Sequence, residues 1–259
     1  MMITQHSLPT DLSVSVDIDA LYKLAASHWV NLARQAVATR GAFHVALAGG
    51  STPRGLYQLL ATPDYCERIA WAQTQIYFGD ERAVPPDHAD SNYRMAREAL
   101  LQQVPIPAAN IHRMVAHGGA LAEGAARYQR LLETALPASA NGIPQLDLLL
   151  LGIGPDGHIA SLFPDTAILD EQHALVAPVY VDKFNSWRMS ITFPVINNAR
   201  RVMVLAAGES KASIIAELFG ADGEAISAKS TNNPYPVQRI APLQPVIWLL
   251  DSAAAQRIT

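Results

Sequence analysis

Cysteine is nearly absent from this chain of 259 residues, which contains only Cys66. A single thiol can form neither a disulfide within the chain nor a cluster of thiolate metal ligands. The sequence therefore excludes a small scaffold held together by disulfides, and it predicts a protein of a reducing compartment.

Positive charge and long apolar runs are also scarce. The chain has 19 lysines and arginines against 23 aspartates and glutamates, a formal net charge of -4, so we expect no nucleic-acid partner. No uncharged apolar run approaches the length of about 20 residues that a membrane-spanning helix needs. The first residues also lack the basic and apolar segments of a signal peptide. We therefore expect a cytoplasmic protein without a membrane partner.

Half of the residues are hydrophobic, enough for a large core, and they follow two kinds of pattern. Helical spacing from Asp17 to Arg40, followed by Gly41, predicts a long first helix. Short apolar runs then alternate with helical patterns. The predicted strands are FHVAL, TQIYFGDE, NIHRM, QLDLLLLGIG, LVAPVYV, RMSITFP, RVMVLAAG and PVIWLLD, and the helices include STPRGLYQLLA, SNYRMAREALLQQV, ALAEGAARYQRLLETAL and SKASIIAELFG.

The alternation of strands and helices predicts the fold class. The continuous apolar run Leu148–Leu151 is typical of a central parallel strand that is covered on both faces. We predict a Rossmann-like α/β fold, a mostly parallel sheet with helices on both faces. No linker or repeat divides the chain, so we expect one domain over residues 1–259.

Polar, glycine-bearing segments follow several predicted strands, where open parallel sheets bind ligands. In AGGSTP, the backbone of Gly49 and Gly50, the hydroxyls of Ser51 and Thr52 and a helix N-terminus suit a phosphate group. Lys211 follows a later strand and could add a cation. The alternative is that the glycines only turn the chain and that Ser51 or Thr52 only caps the helix.

The segment GIGPDGH contains the candidate catalytic pair. Asp156 lies two residues before His158 in a glycine-shaped loop and could fix the imidazole tautomer, which suits general acid–base catalysis near neutral pH. A metal site using Asp156, His158 and either Asp80 or Glu81 is the competing interpretation, although no HExxH or Cys/His cluster supports it.

Charged residues at two further strand-like segments are candidates for substrate binding. Asp80, Glu81 and Arg82 stand together in FGDER, either as a solvated cluster or with Arg82 binding an anion through its planar guanidinium. Arg188 in SWRMSIT is a second candidate anion ligand, with an exposed strand cation as the alternative. The sequence leaves open which of Asp80, Glu81 and Arg82 contacts substrate.

Four segments in this order resemble one family: ALAGGSTPRGLYQLLA, YFGDERAVPPDHADSNYRMAREALL, LDLLLLGIGPDGHIASLFP and RVMVLAAGESKA. They resemble the 6-phosphogluconolactonases of the glucosamine-6-phosphate isomerase/deaminase superfamily. The resemblance spans nearly the whole chain. One departure is NSW before Arg188, where the family often has prolines.

The resemblance implies hydrolysis of 6-phospho-D-glucono-1,5-lactone, in the oxidative pentose phosphate pathway, without metal or organic cofactor. His158 matches the catalytic histidine of the family and would activate water, and Asp156 would orient it. The substrate would be a small sugar-phosphate lactone. The implied substrate-binding residues are Gly49, Gly50, Ser51, Thr52, Asp80, Arg82, Arg188 and Lys211.

Two other functions remain as alternatives. An amino-sugar deaminase of the same superfamily would carry a glutamate just before Pro164, where this chain has Phe163. A non-catalytic sugar-phosphate sensor would need a DNA-binding element, and the residues before the first helix are too few for a helix-turn-helix.

Overall fold

A six-stranded parallel sheet forms the centre of the protein in a computed structural model that describes residues 10–220, 225 and 234–258. In spatial order its strands are β1 (Thr10–Ser15), β9 (Val246–Asp251), β8 (Val202–Ala206), β5 (Leu148–Gly152), β2 (Phe43–Leu47) and β3 (Thr74–Phe78). All neighbouring pairs in this sheet are parallel. The predicted α/β fold with a mostly parallel sheet is confirmed.

The central strand β5 is covered on both faces. Leu148, Leu149, Leu150 and Leu151 are each no more than 1% exposed, and successive side chains of a strand point to opposite faces. Helix α1 (Ile18–Arg40) packs against β2 and β9, and helix α2 (Ser51–Leu60) packs against β5 and β8. The loop that follows Leu148–Leu151 therefore begins from a buried strand at the centre of the sheet.

The first helix begins and ends where the sequence predicts. The Asp17 side chain accepts a hydrogen bond from the Ala20 amide at 2.7 Å, which caps the N-terminus of α1. Gly41 adopts a left-handed conformation, φ +79°, and donates its amide to the Val37 carbonyl. Both ends of this helix are thus determined by local side-chain and backbone chemistry.

A second, antiparallel sheet departs from the predicted pattern. Its strands, in spatial order, are β4 (Asp80–Arg82), β7 (Ser186–Ile191) and β6 (Val176–Val181). The run TQIYFGDE is two strands, because the chain bends at Gly79 and links the two sheets: the Gly79 amide bonds to the Leu47 carbonyl, and the Gly79 carbonyl accepts from the Ile191 amide. Asp80 and Arg82 therefore line one side of the space above the parallel strands.

Other elements complete the fold. The predicted strand in NIHRM was wrong, since Ile111 forms only an isolated bridge to Ile76. Strand β1, which the pattern did not predict, adds an edge to the parallel sheet. The remaining α-helices of the described residues are α3 (Pro63–Cys66), α4 (Asn92–Ala96), α5 (Leu121–Ala135), α6 (Phe193–Asn198), α7 (Ala212–Leu218) and α8 (Ser252–Ala255).

Buried apolar side chains of both sheets belong to one continuous cluster, which includes Leu149 of β5 and Met189 of β7. This continuity supports the proposal of one domain. Among the described helices, none combines the length and the apolar character needed to cross a bilayer.

Candidate active site

A cavity of about 210 Å³ lies at the carboxyl ends of β2, β5 and β8. A second cavity, of about 370 Å³, adjoins it and shares Arg82, His158 and Arg188. Their combined size suits a small-molecule ligand. The first cavity gathers nine residues singled out from the sequence: Gly49, Gly50, Ser51, Thr52, Asp80, Arg82, His158, Arg188 and Lys211.

Asp156 lies behind His158 rather than on the cavity wall. Its Oδ1 is 2.5 Å from Nδ1 of His158, so Nε2 is the ring nitrogen left without a hydrogen bond from the described residues. Burial lowers the pKa of His158, although the hydrogen bond and charge of Asp156 oppose that shift. Burial likewise opposes ionisation of Asp156, but bonds from His158 and Lys183 prevail and lower its pKa to about 2. The pair is thus a neutral imidazole held by a carboxylate near pH 7.

The glycines of this loop allow the pair to form. A Cβ at Gly154 would stand 2.0 Å from Nδ1 of His158 and 2.6 Å from Oδ1 of Asp156. The Gly154 amide also bonds to the His158 carbonyl at 2.9 Å, which closes the loop. At Gly157 the backbone has φ +70°, and a Cβ would meet the Tyr235 ring. The sequence GPDGH therefore bends tightly enough to bring Asp156 against His158.

Phe163 supports the imidazole from one side. The rings of His158 and Phe163 are stacked with centroids 3.8 Å apart and planes inclined by 24°. The guanidinium carbon of Arg188 lies 5.3 Å from the centre of the same phenyl ring. An apolar ring therefore occupies the position at which the deaminases of the superfamily were expected to carry a glutamate.

The glycine-rich loop after β2 presents a helix N-terminus with unused hydroxyls. Gly50, φ +105°, precedes the first turn of α2 and provides no side-chain cap. The hydroxyls of Ser51 and Thr52 form no hydrogen bond with the described residues, although both line the cavity. The capping interpretation of Ser51 and Thr52 is therefore not supported, and their hydroxyls remain available for a ligand.

The cavity has three cationic side chains and a single carboxylate, Asp80. Arg82, Arg188 and Lys211 have no carboxylate within 4.0 Å among residues 10–220, 225 and 234–258. Arg82 and Arg188 are directly opposite each other in the β4–β7 pair, where like charges repel. Burial, with Arg82 nearby, lowers the pKa of Arg188, and burial lowers that of Lys211. This surplus of positive charge suits an anionic ligand.

The alternation of β4 separates the acidic residues of FGDER. Asp80 and Arg82 face the cavity, whereas the buried Glu81 points away from it. Oxygens of Glu81 accept from the Ser91 hydroxyl and from the Asn92 and Tyr93 amides at 2.7–3.0 Å. Burial raises the pKa of Glu81, against these donors. Glu81 therefore stabilises the start of α4 rather than contacting a ligand.

Asp80 is itself held by neighbouring side chains. Its Oδ2 accepts from the Ser161 hydroxyl at 2.6 Å, and its Oδ1 accepts from Nδ2 of Asn92 at 2.9 Å. Ser161 therefore stabilises Asp80. A Cβ at Gly49 would overlap the Asn92 amide at 2.0 Å, which explains the glycine there. The two bonds fix Asp80 to Ser161 and to the start of α4, and the backbone at Gly49 packs closely against Asn92.

Two residues of the site were not singled out from the sequence. In the sequence, Asn92 belongs to the start of a predicted helix. Its hydrogen bond to Asp80 depends on the direction that β4 takes after Gly79. Lys183, whose Nζ lies 3.0 Å from Oδ2 of Asp156, comes from the turn between β6 and β7. The sequence shows Lys183 shortly before Arg188. The antiparallel hairpin that brings Lys183 to Asp156, however, was not predicted.

The part of the chain that the structure describes contains no cluster of side chains that fits the metal interpretation. No group of three or more His, Cys, Asp or Glu side chains there could hold an ion. Asp156 and His158 contact each other, and Glu81 points toward α4.

Curated relatives and a family model match most of the chain. A model described as glucosamine-6-phosphate isomerases/6-phosphogluconolactonase matches residues 16–248. A 6-phosphogluconolactonase of Synechocystis sp. is 40% identical over 224 residues, which are 86% of this chain and 88% of that protein. A 6-phosphogluconolactonase of Streptomyces coelicolor is 36% identical over 253 residues, 95% of this chain and 94% of its own.

Solved structures give the same result at the level of the fold. The 6-phosphogluconolactonase of Trypanosoma brucei superposes with a TM-score of 0.81 at 27% identity, over 98% of this chain and all of that one. A monomeric glucosamine-6-phosphate deaminase shares the fold with a TM-score of 0.76 at 20% identity, over 95% and 98% of the two chains. The resemblance read from the four sequence segments is confirmed, and the chain belongs to the family of glucosamine-6-phosphate isomerases and 6-phosphogluconolactonases.

Proposed function

We propose that this protein hydrolyses 6-phospho-D-glucono-1,5-lactone to 6-phospho-D-gluconate, a step of the oxidative pentose phosphate pathway, in the cytoplasm. The protein is a lactone hydrolase, as its curated relatives are named. The observation that carries the proposal is the Asp156–His158 pair at a cavity with three cations that have no carboxylate partner among the described residues. A base beside an anion-binding site fits a phosphorylated lactone.

His158 is the general base of the proposed reaction. With Nδ1–H donated to Asp156, Nε2 has a free lone pair and takes a proton from a water molecule. The water oxygen bonds to the lactone carbonyl carbon and forms a tetrahedral oxyanion. Collapse of this intermediate breaks the bond from that carbon to the ring oxygen, which receives the proton from Nε2. Asp156 holds the tautomer and stabilises the transient imidazolium.

The phosphate of the substrate lies in the proposed complex at the N-terminus of α2. The backbone of Gly49 and Gly50 and the hydroxyls of Ser51 and Thr52 surround it, and Lys211 and Arg188 supply charge. Asp80 and Arg82 line the same cavity. Asp80 stabilises the cavity wall through its hydrogen bond with Ser161, and the guanidinium of Arg82 adds further hydrogen-bond donors. Binding of this dianion offsets the repulsion between Arg82 and Arg188.

Deamination of an amino-sugar phosphate is the second candidate, because the superfamily includes such enzymes. The stack of Phe163 on His158 argues against it, since the side chain beside the imidazole has no carboxylate to assist ring opening. A sensor without turnover would bind the same sugar phosphates, and the assay for hydrolysis separates it from the enzyme.

The direct test is the rate of 6-phosphogluconate formation from freshly generated lactone, coupled to its dehydrogenase. Because the lactone also opens spontaneously, a protein-free blank runs beside every sample, and excess chelator is added in parallel. We expect a large acceleration that the chelator does not change. A rate equal to the blank would contradict the proposal and direct attention to glucosamine-6-phosphate.

The activity should depend on the ionisation of His158. Only the neutral imidazole accepts a proton, and burial places its pKa below the ordinary value of about 6.5. We therefore expect kcat/KM to rise with pH, with a midpoint below about 6.5, and to be constant near pH 7. Because the substrate phosphate also titrates, an NMR titration of His158 in the free protein is the control. A midpoint above 7 in both experiments would contradict this role.

Lys211→Ala should act on substrate affinity. Loss of a charged hydrogen bond to phosphate predicts an increase in KM of about 10- to 100-fold, with a smaller change in kcat. Lys23→Ala is the matched control, because Lys23 is an exposed lysine of α1 away from the cavity. Steady-state kinetics of both variants test the prediction, and an unchanged KM for Lys211→Ala would remove Lys211 from the phosphate site.

A further inference from the structure

The turn between β6 and β7 reaches the catalytic loop from outside the parallel sheet. It consists of a short helical turn, Asp182–Phe184, and Asn185 in a left-handed conformation with φ +44°. The Tyr180 hydroxyl bonds to the Asn185 side chain, and Val181 pairs with Ser186 at the last rung of the hairpin. These contacts define the direction in which Lys183 and Phe184 project.

Lys183 provides the partner of the second oxygen of the Asp156 carboxylate. Oδ1 of Asp156 is engaged by the His158 ring, and Oδ2 is 3.0 Å from Nζ of Lys183. No other described side chain hydrogen-bonds to Oδ2. With both oxygens engaged, rotation of the carboxylate about its Cβ–Cγ bond would disturb both contacts.

Phe184 of the same turn contacts the phenyl ring that stacks on the imidazole. Its ring meets Phe163 edge-to-face, with centroids 5.8 Å apart, and the guanidinium carbon of Arg188 is 4.9 Å from its centre. Phe163 in turn stacks on His158. The turn therefore contacts both neighbours of the imidazole, the carboxylate through Lys183 and the phenyl ring through Phe184.

We propose that Lys183 is a positioning residue for the hydrolysis proposed above: it holds Oδ2 of Asp156 so that Oδ1 faces Nδ1 of His158. Lys183 acts through Asp156, since its ammonium bonds to the carboxylate and does not line either cavity; the ammonium also lies 5.7 Å from the centre of the Phe184 ring. The inference rests on the proposed function for its kinetic consequence, while the contact itself can be tested without turnover.

The kinetic experiment compares Lys183→Ala and Lys183→Arg in the natural protein and in the Asp156→Asn background, with Lys23→Ala as the charge-matched control. Because Lys183 is about half exposed, we expect Lys183→Ala to lower kcat about two- to fivefold with KM unchanged. Arginine should restore most of the rate. In the Asp156→Asn background the same substitution should have almost no further effect, since the partner is already lost.

The second measurement does not need activity. The His158 Nδ1 proton, hydrogen-bonded to Asp156, is followed by NMR, with Asp156→Asn identifying its signal. We expect Lys183→Ala to speed the exchange of this proton with water, and Lys183→Arg to keep the slower exchange. Unchanged exchange in Lys183→Ala would overturn the proposal whether or not the protein hydrolyses the lactone.

The outcomes separate this proposal from the proposed function. An inactive natural protein contradicts the lactonase, and the proton exchange still decides the role of Lys183. Equal losses of kcat in the natural and Asp156→Asn backgrounds would show that Lys183 acts elsewhere in the fold, and would overturn the positioning role.

Discussion

Replacing His158 with glutamine is expected to lower kcat for lactone hydrolysis by about 100-fold or more, the scale of a lost general acid–base. Glutamine approaches the size of histidine and can still pack on Phe163, but its amide cannot take a proton from water at neutral pH. The cations of the cavity remain in place, so affinity for the product 6-phosphogluconate should change little.

The measurement combines steady-state kinetics with calorimetric titration of the product. His173→Gln is the matched control, because His173 is exposed and lies outside the cavities around His158. A His158→Gln variant with a near-normal rate would require a different base. A variant that loses product binding as well as activity would point to a collapsed cavity instead of a missing proton acceptor.

Gly154→Ala is expected to lower kcat by about 100-fold, although it removes no chemical group. The new Cβ would stand 2.0 Å from Nδ1 of His158, so the imidazole and its carboxylate must separate or shift. A misplacement of about 1 Å at a reacting group costs rates of this order. The effect comes from space alone, because the backbone at Gly154 does not have a positive φ.

Gly119→Ala provides the comparison, since a Cβ at Gly119 would have no neighbour within 4 Å. Thermal unfolding and product binding of Gly154→Ala distinguish a local displacement from a general loss of structure. We expect the variant to bind product through the α2 N-terminus while turning over slowly. Normal turnover would mean that the loop relaxes without moving His158.

Residues that follow parallel strands could be placed from sequence. Gly49 to Thr52, Asp80, His158 and Lys211 each come after an apolar run, and parallel strands end at a common edge, so their convergence followed from the fold class. The polarity and spacing of GPDGH also predicted contact between Asp156 and His158. These inferences needed only local pattern and the direction of the strands.

Antiparallel pairing between distant segments could not be read in the same way. Strand β4 leaves the parallel sheet at Gly79 and pairs with β7, which places Arg82 opposite Arg188. No local pattern encodes that register, because it depends on which segments meet after folding. The interior role of Glu81 follows from the same pairing, and the contact of Lys183 with Asp156 follows from the β6–β7 hairpin, so both became visible only in three dimensions.

The bend at Gly79 links the two sheets, and each sheet supplies different side chains to the site. The Asp156–His158 pair and the N-terminus of α2 belong to loops of the parallel sheet, whereas Arg82 and Arg188 belong to the small sheet. Substitutions of Arg82 and Arg188 are therefore expected to change which anions are accepted without removing a hydrogen-bonding partner of the Asp156–His158 pair. Within such a scaffold, substrate range and chemical mechanism can evolve as separate traits.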